Sequence, residues 1–327
     1  MIKQTYYYLQ DKVEPCYNLA VEQHLLESVP PEACILYLWQ NQRTVVIGKN
    51  QNCWKECKLQ QLSDDGGQMV RRLSGGGAVY HDLGNLNFTF LIRKQDYDIS
   101  RQLEVILQAL LLLGIPAEKS GRNDLLADGR KFSGNAFYES GDYAYHHGTL
   151  MVNVDRSQLG KYLQVSAEKL ASKGVSSVQA RVVNLNELKP DLTIEELQQA
   201  LLQAMEIVYG CPIQPWSEEK LNQEQIAVYQ EKFSSDEWRL GRPIPFSWEM
   251  SHRFPWGEIQ LQCEVNRGKI QQSKIYSDAM DGELIEKIAE QLQGCAFGSK
   301  AMAARLTEMT ARQEIDDLCQ YLTGLQM

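Results

Sequence analysis

The 327-residue sequence is 43% hydrophobic and 23% charged, enough apolar material for folded cores and too little bias for a disordered or fibrous chain. Its 33 Lys and Arg face 42 Asp and Glu, a net charge of -9 that leaves no broad positive surface for a nucleic-acid backbone. The start, MIKQTYYYLQDK, lacks a signal-peptide core, and no run approaches the roughly 18 apolar residues of a membrane span, so a cytoplasmic location is expected.

Length favours two domains. Pro15–Ser28 reads as a helix, and residues 34–39 and 44–48 read as strands, so the chain opens as mixed α and β. The Asn87-Phe88-Thr89-Phe90 alternation predicts a half-buried strand over residues 86–92. Residues 99–113 form an apolar helical run closed by Gly114 and Pro116, which should pack on the sheet. Thr193 and Glu196 stand in capping-box spacing ahead of a helix whose face is Leu197, Leu201, Ala204, Met205 and Val208.

Between Pro212 and Trp248 the periodicity weakens, prolines recur at 212, 215, 243 and 245, and Ser234-Ser235-Asp236 adds a polar break. A domain boundary is therefore placed near residue 245. Beyond it, Trp248–Phe254, residues 259–266 and Lys269–Ser277 read as three strands joined by turns at Gly257 and Gly268, followed by helical pieces in a small α+β unit.

The eight cysteines (Cys16, Cys34, Cys53, Cys57, Cys211, Cys263, Cys295 and Cys319) are scattered, which predicts reduced thiols rather than a disulfide framework. Cys53 and Cys57 lack a second ligand pair, so they are expected to be solvent-facing or semi-buried free thiols without metal.

Three segments carry chemistry. In Arg71-Arg72-Leu73-Ser74-Gly75-Gly76-Gly77-Ala78-Val79-Tyr80-His81-Asp82, consecutive glycines let backbone N–H groups approach an anion, with phosphate the natural candidate. No Lys-Ser/Thr pair follows, and Tyr80 stands where a dinucleotide fingerprint has its last glycine, so both familiar nucleotide loops drop out. For glycines alone, a flexible surface turn remains open. On a strand, Arg71 and Arg72 would point to opposite faces, one entering a pocket and the other staying solvated.

The second cluster, Gly121-Arg122-Asn123-Asp124-Leu125 and Arg130-Lys131-Phe132-Ser133-Gly134-Asn135-Ala136, would form a site if the two stretches are paired strands, with Asp124 holding magnesium and Lys131 reaching a phosphate or carboxylate oxygen in the same cleft. A solvated hairpin is the alternative. In the third, Tyr145-His146-His147-Gly148-Thr149, the histidines begin an alternating strand, so only one faces a given side.

With these segments in their order, flanked by WKEC upstream and KGVSSVQARVVNL downstream, the chain resembles the lipoate–protein ligase A family over nearly its whole length. The resemblance implies a catalytic domain of the biotin/lipoate ligase type over residues 1–245. Its architecture would be that of class II aminoacyl-tRNA synthetases, a mixed sheet with helices. A small α+β accessory domain over residues 246–327 would follow, in a monomer.

The same resemblance carries roles onto residues. Arg72, Gly77, Ala78, Val79, Tyr80 and Lys131 would bind ATP; Lys131, Gly76 and His81 would bind lipoate; Asp124 would take magnesium, with Asn123 beside it. Leu73 and Tyr80 are mild variants of a pattern that often has Ser and Phe there. The implied reaction converts lipoate to lipoyl-AMP and passes the acyl group to a lysine of a lipoyl domain, on 2-oxoacid dehydrogenase E2 subunits or glycine-cleavage H protein. Whether octanoate also enters stays open.

An octanoyltransferase of the same fold would need a cysteine, and none occurs between Cys57 and Cys211. A biotin ligase would show a GRGR-type loop. A non-catalytic binder would have no use for intact Arg72, Asp124 and Lys131.

Overall fold

The computed structural model describes residues 2–121, 123–164 and 182–325. Arg122 and residues 173–181 of the KGVSSVQAR stretch lie outside the described residues. The chain divides into two units: Met1–Ile47, Cys53–Arg72 and Ala78–Arg239 form the first, and Gly48–Asn52, Leu73–Gly77 and Leu240–Met327 the second.

The strands of the first unit are β1 (Gln4–Leu9), β2 (Ala33–Trp39), β3 (Thr44–Ile47), β4 (Gln68–Arg71), β5 (Val79–His81), β6 (Asn85–Arg93), β7 (Ala117–Ser120), β8 (Asp124–Ala127), β9 (Arg130–Ser140), β10 (Tyr143–Met151) and β11 (Ile213–Pro215). Eight of them join in the order β11-β1-β2-β6-β10-β9-β8-β7, and β4-β3-β5 make a small separate sheet. Only β1 with its two neighbours runs parallel in the large sheet; the remaining pairs are antiparallel.

β6 departs from the half-buried expectation, because every residue from Asn85 to Ile92 is buried. The alternation separates two kinds of interior. Phe88 and Phe90 enter an apolar cluster with Leu103, Ile106 and Leu201, whereas Thr89 points to the opposite face and hydrogen-bonds Glu22. In sequence a polar residue between phenylalanines reads as a solvent face. Here that face is covered by the helix Pro15–Ser28.

That helix starts where expected. Pro15 occupies its first turn, and the Glu14 carboxylate accepts from the Cys16 and Tyr17 amides, satisfying two donors that lack helical partners. It is buried around most of its circumference. A second helix, Gln223–Ser234, lies over its outer side, where the Cys16 thiol meets the Phe233 carbonyl and Lys232 reaches Gln23. Weak apolar periodicity hid this outer helix, since only Ile226 and Phe233 are buried in it.

On the other face, the helices Ile99–Leu112 and Ile194–Tyr209 run antiparallel: Arg101, near the start of one, donates to the Val208 carbonyl at the end of the other and lies over the Tyr209 ring. Thr193 caps the second helix through its hydroxyl, which accepts from the Glu196 amide.

In the second unit β12 (Trp248–Phe254), β13 (Gly257–Asn266) and β14 (Lys269–Ser277) form an antiparallel sheet in that order. Arg267 and Gly268, both with positive φ, make the second hairpin turn. Gly257 is not a turn residue. It pairs with Phe254 inside the sheet, and Pro255 and Trp256 form the loop. The helices Gly282–Leu292, Ser299–Leu306 and Gln313–Gly324 supply Ile288, Leu306 and Leu318 to a core shared with Ile259, Leu261 and Ile270. No helix among the described residues is long and apolar enough to cross a membrane.

Candidate active site

β8 and β9 place Asp124 and Lys131 on adjacent strands, and the lysine ammonium sits 2.7 Å from the carboxylate. Both side chains are 36% exposed, so the pair faces accessible space and adds little to stability. Asn123, just before β8, fastens the strand edge to β9. Its amide donates to the Asn135 carbonyl, and the Asn135 amide N–H returns a bond to Asn123. The Oδ1 of buried Asn135 in turn accepts from His146 Nε2–H at 2.8 Å.

Arg71 and Arg72 are both buried, so neither stays solvated as expected. Arg71 donates to the carbonyls of Trp238 and Arg239 at the end of the helix Asp236–Arg239, which lack N–H donors from their own helix. Arg72 follows β4 and donates to the Val46 carbonyl. Loss of hydration pulls its guanidinium down to about 10, with Tyr145 and Glu22 opposing, so it stays charged at neutral pH.

His81 lies beside this charge. Burial first, then Arg72 and His147, depress its ring to about 3, which keeps it neutral. The Asn18 amide donates to Asn41 Oδ1, which turns the Asn41 amide nitrogen toward His81 Nδ1 at 3.3 Å. Nδ1 is then the acceptor and Nε2 carries the hydrogen. That Nε2 is buried and meets no hydrogen-bond partner among the described residues, which leaves a donor available for an oxygen of a ligand.

The same face carries polar residues that sequence reading missed. Glu22, only 1% exposed, accepts from Thr89 Oγ1 at 2.7 Å and contacts His147 Nδ1 at 2.9 Å. Thr89 accepts from the Trp39 indole. A carboxylate between Val21 and Leu25 in a helix buried nearly all round was the available signal. The two histidines separate as alternation requires, though in mid-strand. His146 turns to Phe88, Phe90 and Phe137, with burial holding it neutral near about 3, and His147 turns to Glu22.

Ala78 and Val79 are half-buried, and the buried Tyr80 ring lies 5.4 Å from that of Tyr162. Gly76 and Gly77 belong to the second unit. There the Gly76 amide donates to the Ala279 carbonyl, and a Cβ on Gly75 would fall 2.3 Å from that oxygen. The triglycine bend is therefore tightly packed against residues 279–280.

All eight cysteines are free thiols. Cys53 and Cys57 are buried rather than solvent-facing, and burial pushes the Cys57 thiol up to about 12, which denies it nucleophilic character at neutral pH. Among the described residues no group of three His, Cys, Asp or Glu could cage a metal ion. Magnesium at Asp124 thus fits only with phosphate oxygens completing its shell, its usual habit at nucleotide sites.

The sequence matches the model of the lipoyl protein ligase A/B catalytic domain over residues 14–206 and that of the bacterial lipoate protein ligase C-terminus over residues 244–323. Among solved structures it is similar to LipL1 of P. falciparum in complex with lipoate, at a TM-score of 0.86 and 27% identity, covering 97% of this chain and 99% of that one. It is similar to a structure from an archaeal system of Thermoplasma acidophilum, a bi-partite lipoate protein ligase and its E2 lipoyl domain. The TM-score there is 0.65 with 26% identity, over 76% of this chain and 100% of that one. A lipoate-protein ligase A bound with ATP matches at 0.63 and 25% identity, over 74% of this chain and 99% of that one.

Proposed function

The chain belongs to the lipoyl protein ligase A/B family, whose catalytic-domain model spans more than half of it, and from that premise we propose which residues carry the reaction. The enzyme is an ATP-dependent lipoate–protein ligase. A carboxylate repels an amine nucleophile and has a poor leaving group, so lipoate attacks the α-phosphorus of ATP, pyrophosphate departs, and a lysine amine then displaces AMP from the acyl carbon.

Lys131 stabilises the charge that develops on the α-phosphate and later on the acyl carbonyl. Arg72 contributes a fixed buried charge to the phosphates, and His81 Nε2–H donates to an oxygen of the lipoate carboxylate. Gly76, Gly77, Ala78, Val79 and Tyr80 contribute to holding the nucleotide and lipoate. Asp124, with Asn123 beside it, would hold magnesium, which supplies charge neutralisation on the triphosphate when bound. The observation that carries this reading is the Lys131–Asp124 pair, an ammonium and a carboxylate held together on an accessible face at 2.7 Å.

Lipoyl domains of E2 subunits and H protein are the acceptors in this reading, supported by the E2 lipoyl domain of the archaeal system. Residues 1–245 form the catalytic domain and 246–327 the accessory domain, in a cytoplasmic monomer. The test is pyrophosphate release with lipoate, ATP and magnesium: Lys131→Ala abolishes it with an unchanged urea midpoint, and near-normal turnover rejects the assignment.

A further inference from the structure

Lys131 and Gly134 are three residues apart, and in a regular strand they would point to opposite faces. They do not. Across β8 and β9, Asp124 opposes Gly134 and Leu125 opposes Ser133, but Leu126 opposes Lys131, with a register shift between Leu125 and Leu126. Phe132 is the extra residue of this bulge, and it is fully buried in the apolar core of the first unit. Since directly opposed residues share a face, Asp124, Leu126, Lys131 and Gly134 all lie on one side.

The bulge alone does not seat the ammonium. A Cβ built on Gly134 would stand 3.1 Å from Lys131 Nζ and 3.2 Å from Cε, so the lysine stem lies over the bare glycine backbone on its way to Asp124. Gly134 does not need its glycine for backbone reasons, because its φ is not among the positive values. Its amide donates to Thr149 Oγ1, and the Lys131 carbonyl accepts from Val183, so both backbones are anchored.

We infer that Gly134 and the Phe132 bulge are a positioning device for the ammonium of Lys131. The bulge turns the lysine onto the Asp124 face, and the missing side chain at residue 134 lets it lie there. This rests on the reading that Lys131 serves adenylate formation.

The experiment uses the full chain with Gly134→Ala, Gly134→Val, Lys131→Ala and the Lys131→Ala/Gly134→Val double variant, each checked by urea unfolding. The readout is pyrophosphate release with lipoate, ATP and magnesium, in single turnover at high enzyme for the weakest variants. A displacement approaching 1 Å costs on the order of a hundredfold in rate, so valine should lower kcat about a hundredfold and alanine, which moves the ammonium by a few tenths of an ångström, about fivefold, with KM for ATP changing less than about threefold. In the Lys131→Ala background valine should add nothing. Alanine and valine variants at the parent rate, beside an inactive Lys131→Ala, overturn the inference and leave the functional reading intact. A valine penalty on the residual single-turnover rate of Lys131→Ala equal to that on the parent also overturns it, as a merely structural effect. An active Lys131→Ala instead overturns the functional reading itself. If valine prevents folding, the alanine rate decides.

Discussion

Replacing Glu22 tests whether the buried polar face under the helix Pro15–Ser28 is a connected unit. Both of its contacts, Thr89 Oγ1 at 2.7 Å and His147 Nδ1 at 2.9 Å, converge on the same oxygen, Oε1. Glu22→Gln can keep a carbonyl oxygen there, so it retains both contacts and loses only the charge assistance, about 1 kcal/mol. Glu22→Ala removes that acceptor from two buried groups, each costing about 1–3 kcal/mol when left unsatisfied, and adds a cavity. The expected loss is about 3–5 kcal/mol, a large share of the roughly 5–15 kcal/mol that holds a typical fold. Urea unfolding followed by tryptophan fluorescence gives the two values from midpoint and slope. The reasoning is refuted if alanine and glutamine variants fall within about 1 kcal/mol of each other.

Two further perturbations have defined outcomes. His81 and His146 are held neutral near about 3 in the fold, below the ordinary 6.5, so the unfolded chain takes up their protons first. Their contribution is intact above about pH 6.5 and falls as pH drops toward 3, by up to about 1.4 kcal/mol per ring per pH unit; urea midpoints from pH 7.5 to 4.5 should show this, and His146→Gln should remove one ring's share of the slope. Gly75→Ala would push a methyl against the backbone oxygens of Ala279 and Met280 at 2.3 and 2.4 Å, atoms that cannot swing aside. It should destabilise the second unit by about 1–3 kcal/mol, measured as earlier thermal unfolding and faster proteolysis there, and an unchanged melting curve would contradict the packing.

The sequence disclosed whatever its local periodicity or punctuation could encode. Pro15–Ser28, Trp248–Phe254 and Lys269–Ser277 fall where capping residues and alternation put them. Paired strands bearing Asp124 and Lys131 were one of two readings open in the sequence, and the structure pairs them as β8 and β9. Facts of three-dimensional covering stayed hidden. The alternation of β6 cannot say whether its polar face meets water or Glu22, and nothing near Arg71 in sequence announces carbonyls 167 and 168 residues away. The bulge at Phe132 also escaped, because a register shift belongs to two strands at once.

The double clasp between β4 and the helix Asp236–Arg239 bears on how this protein can be shortened. Arg71 holds the carbonyls of Trp238 and Arg239, the Trp238 indole answers to the Arg71 carbonyl, and the Arg239 guanidinium reaches Met69. A recombinant fragment ending at residue 239 retains all four tethers, whereas one trimmed to residue 234 loses all of them from the strand that leads into Arg72. Whoever dissects the chain should therefore place the scissors after this clasp.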